Sequence, residues 1–322
     1  MSVQTDSPPD GDRPAARPQP WWKRLIPLLL AVLLVAWVVR KLELRAFIAH
    51  LHNVNHAAFL GFVALFTVVN LAADSLATSF VYRLTVAPVS TRQFFLIRGA
   101  SYLPSLLNHH VGQAWLAWYL SRAFRAPLAR VAGATALVYA TTFGSLFLFG
   151  ATALLFDASP PSWLLPTLGV GTVSGVGYLG VIHLRPRALA GRGLLAPLFD
   201  VGVAGHLRAM AVRLPHLVVL FLGTWLPFRF FGVEIPPAAA LAYVPVLMVV
   251  QALPITPQGV GTRDVFAQEC FARFGAGDAA QQHAAVAAAT LSFAAAIVLV
   301  QIGFSLALMA RALRSLRDAP KA

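Results

Sequence analysis

Charge is scarce in this chain, and acid scarcer than base: 11 % of its 322 residues are charged, with 12 Asp plus Glu against 25 Lys plus Arg, for a formal charge of +13. There is one cysteine, Cys270, which excludes an intrachain disulfide and any multi-cysteine metal site and fits a small apolar filler. With 58 % hydrophobic residues and a mean hydropathy of +0.71, the chain has too little polar surface to cover its apolar side chains in water. The short alternating segments of a membrane barrel are absent. So is a basic face with base-stacking aromatics standing apart from the apolar runs, which excludes nucleic acid as a partner. Gly259-Val260-Gly261 lacks the third glycine and the strand of a dinucleotide fingerprint. No Ser/His/Asp or paired-carboxylate arrangement is present, so nothing points to an active site or a cofactor.

What is present is a series of apolar runs near the roughly 20 residues that cross a bilayer core as helix. They predict an all-α, polytopic helical membrane bundle of about six full spans plus two interrupted or re-entrant segments. Met1–Pro20 is polar and proline-rich, predicting a disordered cytoplasmic tail. Trp21, Trp22, Lys23 and Arg24 anchor the run Leu25–Val39. Arg40 and Lys41 follow it where a signal peptide would carry small residues, so a retained first span is expected. Further spans are expected at Ala57–Tyr82, Ala132–Phe156, Trp163–His183, Arg208–Phe231 and Ala284–Ala310, within a single domain over 21–310 and ahead of a basic tail over 311–322.

The interrupted segments are Phe94–Leu120, broken by Pro104, Asn108, His109, His110 and Gln113, and Gln251–Gly275, broken by Pro254, Pro257, Gly259 and Gly261. Irregular backbone cannot face lipid, where each unpaired amide costs several kcal/mol. With both termini cytoplasmic, nineteen of the 25 basic residues fall on the cytoplasmic side, Arg40, Lys41 and Arg45 being the main exception. That arrangement closes only if Phe94–Leu120 enters and leaves from the cytoplasmic side and the second segment does so from the other. LPSLLNHHVGQ and LPITPQGVGT each place Leu-Pro shortly before Val-Gly, and an inverted repeat is expected.

Three places carry candidate chemistry. A helix starting near Thr262 would put Asp264 in its positive first turn and point its amino end, with Arg263 beside it, into the break, where an anionic group can bind. The alternative is an extramembrane loop with an amphipathic surface helix. Asn70, Asp74 and Thr78 recur at helical spacing in the second span. An intramembrane carboxylate is a functional candidate, or else a structural pair, with Arg213 as its partner. His109 and His110 are adjacent, so they cannot both face one metal from a regular helix; a proton-linked or headgroup-contacting role and plain helix packing remain.

At these same residues the chain resembles the lysylphosphatidylglycerol synthase/flippase transmembrane family. Leu253–Asp264, LPITPQGVGTRD, is similar to its motif Leu-Pro-x-x-Pro-Gly-Gly-x-Gly-x-Arg-Glu, with Gln258 for a glycine and Asp264 for the glutamate. Asn108–Gln113 occupies the place of Pro-Gly-Arg-x-Gly-Glu and keeps only Gly112. The resemblance implies the family fold over about 25–310 in a bacterial inner or plasma membrane. Because the chain stops soon after Ala310, the synthase activity of the family's bifunctional members is expected to be absent. The expected function is binding or moving an amphipathic lipid, either one with an anionic headgroup or a polyprenyl lipid. Arg263, Asp264, Gly259, Gly261, His109, His110, Gln113 and Asp74 are the expected contact residues, with the two carboxylates orienting Arg263. The alternatives are an accessory subunit beside lipid-modifying enzymes and a membrane enzyme acting on a lipid-linked substrate.

Overall fold

A computed structural model describes residues 44–107, 109–156, 162, 164–252 and 261–317. The expected first span, the terminal tails at 1–20 and 318–322, and Pro254, Pro257 and Gly259 lie outside the described residues. Within them the chain is helical. Helix α1 covers Leu44–Asn53, α2 His56–Thr85, α3 Thr91–Ala100, α4 Tyr102–Leu107, α5 His109–Phe124, α6 Leu128–Ala151 and α7 Ala153–Phe156. Then come α8 Leu164–Leu184, α9 Arg187–Ala190, α10 Ala196–Trp225, a 3-10 turn Leu226–Phe231, α11 Pro237–Ala252, α12 Thr262–Phe271, a second 3-10 turn Ala272–Phe274, and α13 Ala279–Arg317.

Five helical stretches are long and apolar enough to cross a membrane: His56–Thr85, Leu128–Phe156, Leu164–Leu184, Ala196–Phe231 and Ala279–Leu316. They coincide with five of the six expected full spans. Local chemistry sets several of their ends. Asn55 accepts from the Ala58 N–H at 3.0 Å to start α2, and Ser90 forms a reciprocal capping box with Gln93 to start α3. Helix α8 buries only Leu164, Leu168 and Ile182 while exposing Val170, Val173 and Val176, the all-round apolar surface of a lipid-facing helix. Helix α13 has 39 residues, about 58 Å at 1.5 Å per residue, and outruns the bilayer core. Its last turns contain Arg311 and Arg314, which the sequence places in a tail.

Both interrupted segments are hairpins. In one continuous helix Ser105 and Gly112 would stand two turns apart, yet a Cβ placed on Gly112 would lie 1.8 Å from Ser105 Oγ. The chain therefore reverses between α4 and α5, and only a glycine lets the two pieces approach so closely. Phe94 and Ile97 from the start of this segment share a core with Leu116, Tyr119 and Leu120 from its end. That core also holds Tyr82 near the end of α2 and Ala312 near the end of α13.

The second hairpin enters from the other end of the bundle. Val233, just before α11, bridges to Gly275, and the Glu234 N–H donates to the Phe274 carbonyl at 3.0 Å. Phe228 stacks edge-on against Phe271 with centroids 5.1 Å apart, and Phe59 near the start of α2 packs at 5.3 Å against Phe231. Thus α2 and α13 begin beside the second hairpin and end beside the first. The two hairpins therefore sit at opposite ends of the bundle.

Candidate functional site

The two hairpins and three long helices line a cavity of about 210 Å³. Phe66, Thr67 and Asn70 of α2 line one wall, Tyr102 of α4 another, and Leu220 and Thr224 of α10 a third. The second hairpin contributes Gln251 and Arg263, and α13 contributes Thr290, Ala294, Ile297 and Gln301. Helical spacing explains the convergence: Thr67 and Asn70, and likewise Thr290, Ala294, Ile297 and Gln301, recur at intervals of three or four and share one face of their helix. Eight polar side chains therefore surround a space inside a largely apolar bundle. Asn70 Oδ1 is buried there with no hydrogen-bond partner among the described residues.

Arg263 is held by its sequence neighbour. Its Nε and Nη2 donate to Asp264 Oδ1 at 3.2 and 3.0 Å, and Nη2 also donates to the Thr290 carbonyl at 3.2 Å. The other carboxylate oxygen of Asp264 accepts from the Gly261 N–H at 2.9 Å. Gly261 has φ of 87°, a region that costs an L side chain strain and costs glycine little. The expected helix start at Thr262 is present, with Asp264 in its first turn. Asp264 itself occupies the positive end that was expected to receive an outside anion, so the guanidinium and the helix end are both partly satisfied internally.

Asp74 does not serve Arg263. Its Oδ2 accepts from Arg98 Nε at 2.9 Å and its Oδ1 from Arg213 Nη1 at 3.4 Å and the Thr78 hydroxyl at 3.0 Å. Arg213 Nη2 donates to Thr78 at 3.2 Å, and His216 Nδ1 lies 3.4 Å from Nη1. The expected structural pairing with Arg213 is thus observed, with Arg98 as a second cation. Asp74 takes no part there because Arg98, Arg213 and Thr78 occupy both of its oxygens one turn beyond Asn70.

The remaining expected residues divide. Gln113 lies on α5 and is not among the cavity-lining side chains. His109 and His110 open α5, but their side chains, like Gly259, lie outside the described residues. Among the described residues no group of three or more His, Cys, Asp or Glu side chains is arranged to hold a metal ion.

Apolar spans surrounding a polar cavity and an internal ion-pair cluster define an integral, polytopic helical membrane protein. Residues 24–303 match the family described as Lysylphosphatidylglycerol synthase TM region. The chain belongs to that family. No curated protein and no solved structure matches it.

Proposed function

We propose that this protein binds and moves an amphipathic membrane lipid, admitting the headgroup to the cavity between the two hairpins while the tails stay in lipid. One observation carries the reading: a cavity of about 210 Å³ lined by Thr67, Asn70, Tyr102, Thr224, Gln251, Arg263, Thr290 and Gln301 lies within the bundle. A headgroup leaving water loses hydrogen bonds worth several kcal/mol, and these side chains offer replacements. Arg263 supplies guanidinium donors, held in place by Asp264 and the Thr290 carbonyl. Family membership supports a membrane-lipid role, and the two hairpins bring Tyr102, Gln251 and Arg263 to one cavity, as the interrupted helices of transporters do. The same reading puts the protein in a bacterial plasma membrane with both termini cytoplasmic, in line with the positive bias at the end where α2 and α13 finish.

Reconstituted liposomes carrying headgroup-labelled lipids in one leaflet provide the test. Wild-type protein is expected to speed the exchange of label between leaflets, and Arg263→Ala to abolish the gain. Wild-type inactivity across anionic, zwitterionic and polyprenyl lipids would sink the reading.

A further inference from the structure

The charges inside the bundle do not balance. Among the described acidic residues, only Asp74 and Asp264 are buried. Asp264 is committed to Arg263, whereas Asp74 alone is shared by Arg98 and Arg213. Residues 253–260 and residue 108, which fall within the hairpins but outside the described set, carry no acidic side chain. Three guanidiniums against two carboxylates leave one positive charge, and it resides in the Asp74 cluster. A charge buried within membrane spans is costly unless a counter-ion or water accompanies it.

The cluster also has an open donor. Arg213 is 1 % exposed, and its Nε is buried with no hydrogen-bond partner among the described residues. Arg98 is the accessible partner, with 18 % of its side chain exposed. Its guanidinium lies 6.0 Å from the centre of the Tyr102 ring, and Tyr102 lines the cavity. On α2, Asn70 lines the cavity one helical turn before Asp74. A group in the cavity is therefore one turn from a pair of guanidiniums that share a single carboxylate.

We propose that Arg98 and Arg213 form an anion-binding station for a phosphate group, with Asp74 holding the two guanidiniums in position and Asn70 and Tyr102 linking the station to the cavity. Guanidinium forks match the oxygen geometry of phosphate, and one phosphodiester charge neutralises the surplus. The station rests on the lipid reading above and narrows it: the phosphate of a phospholipid engages Arg98 while the outer part of the headgroup occupies the cavity. Arg98 touches the ligand, and Asp74 and the buried Arg213 are positioning residues that hold its guanidinium and keep the surplus charge beside it.

The sign of the charge change separates this station from an ordinary salt bridge. The full chain, purified in detergent, is melted with added phosphatidylglycerol, with diacylglycerol bearing the same tails but no phosphate, and with inorganic phosphate. Phosphatidylglycerol is expected to raise the wild-type midpoint and diacylglycerol not to. Arg98→Gln leaves Asp74 and Arg213 as a neutral pair, and should weaken phosphatidylglycerol roughly tenfold or more. Asp74→Asn leaves two unopposed cations, and should lower the basal midpoint yet tighten phosphatidylglycerol. Should Arg98→Gln fail to fold, Arg98→Lys and Asp74→Asn carry the test, lysine giving weaker binding because it keeps the charge without the fork.

A full shift from inorganic phosphate that competes with the lipid would support the station with a free ion as its occupant. Equal shifts from phosphatidylglycerol and diacylglycerol, or variants that change basal midpoints but leave the phosphate-dependent shift intact, would overturn it. Lipid exchange in liposomes without a phosphate-dependent shift removes the station and keeps the transport reading. The shift without exchange does the reverse.

Discussion

Arg263 and Asp264, neighbours in sequence, close on each other in the first turn of α12. Two guanidinium nitrogens meet one carboxylate oxygen at 3.0 and 3.2 Å, and the second oxygen takes the Gly261 N–H at 2.9 Å. One side chain thus caps the helix and neutralises the cation that faces the cavity. Asp264→Ala removes both roles and leaves Arg263 with only the Thr290 carbonyl. A loss of roughly 1–3 kcal/mol is expected, read as a lower melting midpoint in detergent. Asp264→Asn keeps an acceptor for Gly261 and should lose less. Equal losses in the two variants would show that the cap contributes nothing.

Gly261 is where the backbone needs glycine most, because φ of 87° precedes α12 directly. Gly261→Ala should cost on the order of 1–3 kcal/mol of strain and tilt the start of α12, moving Arg263 relative to the cavity. Lower thermal stability together with slower lipid exchange is the expected result. An unchanged midpoint would mean that the helix start accommodates a side chain.

The opposed hairpins make a topological prediction. In a Cys270→Ala background, single cysteines at Ser90 and Ala126 bracket the first hairpin, and those at Glu234 and Gly277 bracket the second. A membrane-impermeant thiol reagent is expected to label the first pair from one side of sealed vesicles and the second pair from the other. All four reacting from one side would break the inverted arrangement.

Close approach at the first hairpin can be tested by compensation. A Cβ at Gly112 would meet Ser105 Oγ at 1.8 Å and Ser105 Cβ at 2.8 Å. Gly112→Ala should cost about 1–3 kcal/mol through overpacking, and Ser105→Gly in the same chain should recover part of it by removing both atoms. Additive losses would mean that α4 and α5 do not meet at these residues.

Most of the architecture was legible because a bilayer fixes how long an apolar run must be, and five expected spans recur as helices, although the one expected at Arg208–Phe231 already begins at Ala196. The hairpins were legible from the prolines, glycines and polar residues that interrupt Phe94–Leu120 and Gln251–Gly275. The site was legible in fragments. Arg263, Asp264 and the Asp74–Arg213 pairing carried a signal because a charge inside an apolar run demands a partner. Arg98 was missed because the same charge bias that orders the loops counts it among cytoplasmic cations, although it sits in the apolar stretch FFLIRGASYL. Tyr102, Thr224 and Gln301 were missed for a different reason. Each is one polar residue in an apolar helix, and only the packing of α2, α4, α10 and α13 around one space gives them common cause. The spacing Thr290, Ala294, Ile297, Gln301 was the available signal, marking one face of the last helix.

That face supplies the most direct separation of cavity from scaffold. Ala294 lines the cavity and is only partly buried, so a larger apolar side chain there projects into space rather than into packed atoms. Ala294→Leu adds three carbons, enough to displace water and crowd Arg263, Asn70 and Gln301 without cutting any hydrogen bond named above. Its melting midpoint is expected to stay level or rise, because added apolar contact fills a void rather than straining a core. Lipid exchange is expected to fall by an order of magnitude or more, because the headgroup loses the volume that it must occupy. Unimpaired exchange by a well-folded Ala294→Leu protein would show that the headgroup passes elsewhere, and the lipid-facing surface of α8 would then be the next place to place substitutions.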